Sequence, residues 1–157
     1  MKRYLDLVRE CLTQVPELMP WDLEQRLRDN PELLVVDVRE PYEYQAMHIQ
    51  NSLNVPRGIL ETACEWDYEE TVPELVQARQ REIVLVCRSG YRSVLAAFNM
   101  GLLGYQQVAS LKTGLRGWKD YEMELVDGDG QPVDLDDADD YFTPLLRPDQ
   151  LRPKSAR

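Results

Sequence analysis

Two short, uninterrupted apolar runs constrain this chain more than any other feature. Leu33-Leu34-Val35-Val36-Asp37-Val38 and Ile83-Val84-Leu85-Val86 are of strand length, rich in β-branched residues, and barely alternate apolar with polar side chains. A strand with no polar face must be covered on both sides, which is the situation of strands in the parallel sheets of layered α/β folds. Segments of helical spacing surround both runs. Leu5, Val8, Leu12 and Val15 form one stripe over residues 4–15, ending near Pro16, with Cys11 close to the apolar face. Residues 21–28 repeat the pattern with Trp21, Leu23 and Leu27, and Pro41 suits the first turn of a short helix through Ala46. Residues 48–55 read as extended, and residues 58–81 are unreadable apart from a helix over 73–79. Residues 93–103 are helical with Gly104 as C-cap, 108–111 form a further strand, and a short helix surrounds Trp118. Strands alternating with helices imply an α/β layer structure with a largely parallel sheet.

At 157 residues the chain can bury one core and is too short for two ordinary domains. No apolar run is long enough to cross a membrane, and the start, MKRYLDLVRE, carries charge before any signal-type stretch can form. Three cysteines, Cys11, Cys64 and Cys87, are an odd number without paired spacing, so free thiols in a reducing compartment are expected. The expectation is a soluble, cytoplasmic protein without a membrane partner. The formal charge of −10 is local: residues 120–141 hold ten Asp or Glu and no Lys or Arg. That leaves a short basic end, 147–157, without interleaved aromatics, so nucleic acid is not an expected partner. Asp127-Gly128-Asp129-Gly130 lacks the spacing of a calcium loop, because Leu125 and Met123 stand where acids are needed. No metal is expected there, and residues 127–157 read as an acidic, then basic, solvated tail.

One strand runs straight into a reactive residue type. Ile83-Val84-Leu85-Val86 ends at Cys87, and only Arg88-Ser89-Gly90-Tyr91-Arg92 separates that sulfur from a helix beginning near Ser93. This places the thiol at the carboxyl edge of a parallel sheet, where open α/β folds bind ligands. If the loop curls around the sulfur, its N–H groups and the helix N-terminus favour an anion there. Gly90 supplies the conformational freedom of a tight turn, and Arg88 and Arg92 add cations able to attract an anionic donor. The plainer alternative is a buried strand-end cysteine beside ordinary surface arginines.

The loop CRSGYRS resembles the active loop of the rhodanese family, C-x-x-G-x-R followed by a small residue. Two further motifs stand in order around it. Asp37-Val38-Arg39-Glu40, Glu43-Tyr44, His48-Ile49 and Asn54-Val55-Pro56 resemble the family's first signature, and Leu111 to Trp118, LKTGLRGW, its second. Met47, Asn51 and Thr113 occupy places where the family usually has glycine, and the ending after Trp118 differs. The resemblance implies a rhodanese-like three-layer fold, a central mostly parallel sheet flanked by helices, over residues 19–126. It leaves an amphipathic helical extension over 1–18 and the tail over 127–157.

The resemblance further implies a sulfurtransferase in which Cys87 carries sulfane sulfur as a persulfide. The backbone N–H groups of Arg88, Ser89, Gly90, Tyr91, Arg92 and Ser93 would hold it, with Arg88 and Arg92 steering a small anionic donor such as thiosulfate. Asp37, Arg39, Glu40 and His48 are expected as structural supports, Trp118 as core and Cys64 as incidental. No metal or organic cofactor is implied, and a protein sulfur donor or acceptor is compatible. Two alternatives remain open at this point. One is a non-catalytic docking module of the same fold. The other is a phosphatase or arsenate reductase on the related scaffold, which uses a wider loop with the arginine one place later.

Overall fold

The computed structural model describes residues 1–154. Five parallel strands form one sheet: β1 (Glu17–Leu18), β2 (Leu34–Asp37), β3 (Leu53–Asn54), β4 (Glu82–Val86) and β5 (Gln107–Leu111), in the order β1-β5-β4-β2-β3. β4 is central, with Leu85 opposite Val36 on one side and Ser110 on the other. The helices are α1 (Tyr4–Leu12), α2 (Pro20–Asp29), α3 (Pro41–Ala46), α4 (Leu60–Ala63), α5 (Pro73–Val76), α6 (Arg92–Leu102), α7 (Gly114–Asp120) and α8 (Leu135–Phe142). The α/β fold with a parallel sheet is the expected one. Among the described residues, no helix is long and apolar enough to cross a membrane.

Strand periodicity sorts the core into two layers. Side chains of a strand alternate between faces, so Leu34, Val36, Ile83, Leu85 and Cys87 join Val94, Ala97 and Met100 on one side. Val35, Val84, Val86, Ala109 and Leu111 join Leu23, Leu115 and Trp118 on the other. Both central strands are therefore sealed on both faces, which is why neither shows polar alternation. The apolar stripe of α1 lies on the first layer, with Val8 buried and Cys11 and Leu12 packed against it. The helix ends at Leu12, short of the expected Val15, which is still buried in the same layer, and Thr13 donates its hydroxyl to the Glu10 carbonyl.

Three local expectations change. β1 lies in the Pro16–Pro20 stretch, whose two strand residues are too short to show any period; Pro16 and Leu18 accept from the Ser110 and Lys112 N–H groups at the sheet edge. The helix expected over residues 73–79 stops at Val76, and the Arg79 guanidinium then donates to the carbonyls of Cys64, Val76 and Leu103.

The third correction concerns the segment read as a solvated acidic tail. Residues 135–142 form α8, capped by the Asp134 carboxylate at the Asp136 N–H (2.8 Å), with Asp136 and Asp137 in the first turn, where the helix dipole favours negative charge. Ala138 and Phe142, one turn apart, are 2% and 1% exposed in the second core layer, while Asp139 reaches Lys119 of α7. The acidic residues face outward and conceal an apolar spacing of four. Residues 155–157 of the expected basic end lie outside the described part.

Replacing Phe142 with Ala should therefore destabilise the protein by about 3 kcal/mol, the scale of an aromatic removed from a core. Urea unfolding of wild type and Phe142→Ala measures it; a solvated tail would leave the transition unmoved.

Candidate active site

Alternation along β4 aims Cys87 at the α6 side of the sheet, and residues 87–93 then fold back on it. The Gly90 N–H donates to the Cys87 Sγ at 3.1 Å and the Ser93 N–H at 3.4 Å, and the Ser93 hydroxyl lies 3.3 Å away. Ser93 is the second residue of α6, so its N–H belongs to the helix's unpaired first turn and brings the positive end of the dipole to the sulfur. Cys87 is only 1% exposed. Among the described residues these two N–H groups, rather than the whole set expected from the loop, bond Sγ itself.

The turn depends on two glycines. Gly90 has φ +90°, and a Cβ there would come within 2.9 Å of the Thr113 nitrogen. Gly114, at φ +61°, lies so close that a Cβ would meet the carbonyl oxygens of Cys87 and Arg88 at 2.5 Å. Those carbonyls accept from the Leu115 and Arg116 N–H groups at 2.8 and 3.0 Å. The loop is thus held between the N-termini of α6 and α7, which explains why CRSGYRS and LKTGLRGW occur together.

The loop side chains diverge from the expected pattern. Arg92 is clamped by Glu43 of α3 through two bonds of 2.9 and 3.0 Å, and Glu43 also accepts from the Glu40 N–H at 2.9 Å. Burial pushes the Glu43 carboxyl up, but Arg92 and the Glu40 N–H outweigh it and hold Glu43 below the ordinary carboxylate range. Arg88 donates to the Phe142 carbonyl of α8 at 3.0 Å. Ser89 and Tyr91 are exposed, and Tyr91 meets Tyr4 of α1 edge to face, ring centroids 6.1 Å apart. Burial pushes the Tyr4 hydroxyl up and the nearby Cys87 adds to it. Glu43 stands in the first signature without a role assigned to it, and Tyr4 and Phe142 carry no signal in the sequence. Their partners lie far along the chain, and no local pattern links them.

The expected supports lie around the loop's base. Asp37 and Arg39 are both fully buried and form a bidentate pair, and Arg39 also donates to the Met47 carbonyl at 2.6 Å. Asn54 ties the Asp37 and Arg39 carbonyls together. His48 stacks on Tyr44, with Nδ1 2.8 Å from the Tyr44 carbonyl, and its backbone pairs with Val126. Glu40 is exposed and caps α3. Trp118 is buried and donates to the Glu124 carbonyl. Cys64 is fully buried, and burial pushes its thiol up. Of the three places where the family usually has glycine, Asn51 (φ 65°) and Thr113 (φ 66°) adopt the left-handed conformation that glycine would take freely. Met47 is extended at φ −166° and needs no glycine.

Two surface hollows, about 390 Å³ beside Phe98 and Tyr105 and about 520 Å³ beside Leu27 and Trp118, contain no residue of the loop. Among the described residues, no three His, Cys, Asp or Glu side chains are grouped to hold a metal.

Comparison with known proteins matches residues 19–121 to the Rhodanese-like domain. A "Putative sulfur carrier protein YrkF" of Bacillus subtilis is 30% identical over 109 residues, covering 69% of this chain and 54% of that protein, so the chain spans about half of that relative's length. A "Sulfurtransferase" of Allochromatium vinosum is 29% identical over 116 residues, covering 74% of this chain and 99% of the relative. Among solved structures, a protein of Rhodopseudomonas palustris described as a "Possible Tyrosine Phosphatase" superposes with a TM-score of 0.71 at 23% identity, over 78% of this chain and 93% of its own, a likeness of fold. With the family's domain matched over most of its length and the loop built around Cys87, this chain belongs to the rhodanese-like family.

Proposed function

We propose that the protein is a sulfurtransferase that carries sulfane sulfur on Cys87. The observation that carries the reading is the convergence of the Gly90 N–H, the Ser93 N–H and the Ser93 hydroxyl on one buried sulfur. Donors fixed in place around an anion cost no reorganisation when charge arrives, and a water-poor site strengthens them. Family membership and relatives named for sulfur transfer or carriage support the same reading.

In the first half-reaction the Cys87 thiolate attacks the outer sulfur of thiosulfate. A Cys–S–S bond forms, the sulfur–sulfur bond of thiosulfate breaks, and the electron pair leaves with sulfite. In the second, cyanide or an acceptor thiolate attacks the terminal sulfur and restores the Cys87 thiolate, giving thiocyanate or a new persulfide. This is covalent catalysis in two displacement steps, and neither requires a metal or organic cofactor. The remaining loop N–H groups, those of Arg88, Ser89, Tyr91 and Arg92, are the ones left to receive the terminal sulfur. A protein persulfide can replace thiosulfate as donor. The reducing surroundings that keep such thiols free fit a cytoplasmic setting.

The two arginines take different parts. Arg92 has its charge offset by Glu43, so it fixes the loop to α3. Arg88 bonds a carbonyl rather than a carboxylate, keeps its field, and steers the donor's oxygens. A phosphatase reading is disfavoured by the length of the loop, in which the arginine stands one place earlier than in the wider loop of those enzymes.

After incubation with thiosulfate, intact mass should show wild type heavier by one sulfur atom, and Cys87→Ala should lose both this gain and thiosulfate-to-cyanide turnover. Cys64→Ala and Cys11→Ala should retain both. Absence of the adduct from wild type with thiosulfate and with a protein persulfide would leave a docking module instead.

The Glu43–Arg92 clamp also has a pH signature. Glu43 is held below the ordinary carboxylate value of about 4.3, so its contribution to stability is full above about pH 5 and disappears as the pH falls through the native value. The stability of wild type relative to Glu43→Gln, followed by urea unfolding, should therefore be constant near neutrality and close in acid. A gap unchanged down to pH 3 would contradict it.

A further inference from the structure

Behind the loop stands a second buried hydroxyl. Ser110, on β5, is 0% exposed, as is Ser93, and the two Oγ atoms are 2.7 Å apart. With Ser93 Oγ 3.3 Å from the Cys87 Sγ, three side chains, from the end of β4, from α6 and from β5, form one chain of contacts: sulfur, Ser93, Ser110. The sheet register produces it. Ala109 and Leu111 face the second core layer, so Ser110 faces the first, beside Leu85, which precedes Cys87 by one alternation on the same face. A hydroxyl in such a core is costly unless paired. Among the described residues the Ser110 hydroxyl has one partner, Ser93, while its backbone N–H is used by the Pro16 carbonyl.

We propose that Ser110 is a positioning residue of the sulfur site, acting through Ser93 to fix the direction in which the hydroxyl facing Cys87 points. Each hydroxyl has a single proton. When the sulfur is anionic it can only accept, so the Ser93 proton turns towards it and the Ser93 oxygen must accept from Ser110. When the sulfur carries a proton, it can donate to Ser93, and the chain of contacts can run the other way. No proton leaves it in either case; the two O–H bonds rotate. Both serines are sealed from solvent, so water does not readily replace the Ser110 hydroxyl as donor, and hydrogen bonds in series polarise one another. Ser110 thereby favours the anionic sulfur without touching it. For the thiolate this stands on geometry alone; its extension to the persulfide rests on the sulfurtransferase reading.

The test uses full-length wild type, Ser110→Ala, Ser110→Thr, Ser93→Ala and the double alanine variant. Iodoacetamide modification of Cys87 is followed by peptide mass as a function of pH, with urea unfolding to establish that each variant is folded. In Ser110→Ala the midpoint of the rate profile should rise by about half a pH unit, so that modification is about threefold slower below the midpoint and unchanged well above it. Ser110→Thr, which keeps the hydroxyl, should retain the wild-type profile. The double variant should shift no further than Ser93→Ala alone, because Ser110 acts through Ser93. If Ser110→Ala does not fold, Ser110→Cys, a weaker donor of similar size, should shift the profile in the same direction. A folded Ser110→Ala with the wild-type midpoint, or a shift that adds in full to that of Ser93→Ala, overturns the proposal. Sulfur transfer from thiosulfate plays no part in this readout, so failure of the function and failure of the relay are separate results.

Discussion

Before residues 87–93 can turn N–H groups inward on a sulfur, the carbonyls that then face outward must find donors. In a buried turn that requirement is strict, because an unpaired backbone carbonyl costs about as much as a lost hydrogen bond. Here the Leu115 and Arg116 N–H groups meet the outward carbonyls of Cys87 and Arg88. Both come from the first turn of α7, where such donors are otherwise unpaired. For α7 to approach this closely, its first residue cannot carry a Cβ, and Gly114 does not. The cradle around Cys87 is thus one half of a backbone exchange whose other half is the start of α7. Much of the remaining architecture brings those two helix N-termini to the ends of adjacent strands, β4 and β5.

The same constraint explains which parts of the molecule were legible in the sequence. The two apolar runs and the cysteine at the end of one of them follow from burial on both faces, a condition written locally, so the sheet and the place of Cys87 could be read. The family's motifs drew attention to Asp37, Arg39 and His48, of which the first two form a buried ion pair and the third stacks on Tyr44. β1 could not be read, because two residues between prolines have no period. α8 could not be read either, since its five aspartates, from the cap at Asp134 through Asp140, outweigh the single apolar turn linking Ala138 to Phe142. Pairings such as Glu43 with Arg92, 49 residues apart, depend on the finished sheet order and have no local trace. Ser110 is an intermediate case. A polar residue inside a strand-length run stands out, but its direction is known only once the register with β4 is known.

Charge has a smaller part in the site than the sequence suggested. Two arginines within five residues of a cysteine invite an electrostatic account, yet one is neutralised by a carboxylate and the other rests on a carbonyl. What surrounds the sulfur directly is a set of dipoles: two N–H groups, a hydroxyl and a helix terminus. Dipoles held by backbone geometry are not screened as exposed charges are. They also do not depend on overall charge, so a chain of formal charge −10 can still hold an anion at its centre.

Both ends of the chain reach the loop although they lie outside the matched domain. Tyr4 of α1 meets Tyr91, and the last carbonyl of α8 receives Arg88. Tyr91 and Arg88 stand on either side, along the chain, of the glycine on which the turn depends. The inner face of the site is a matter of backbone geometry around Cys87, whereas its outer rim is made by these extensions. The surroundings of Cys87 are therefore completed by α1 and α8, from outside the matched domain, as well as by the loop itself.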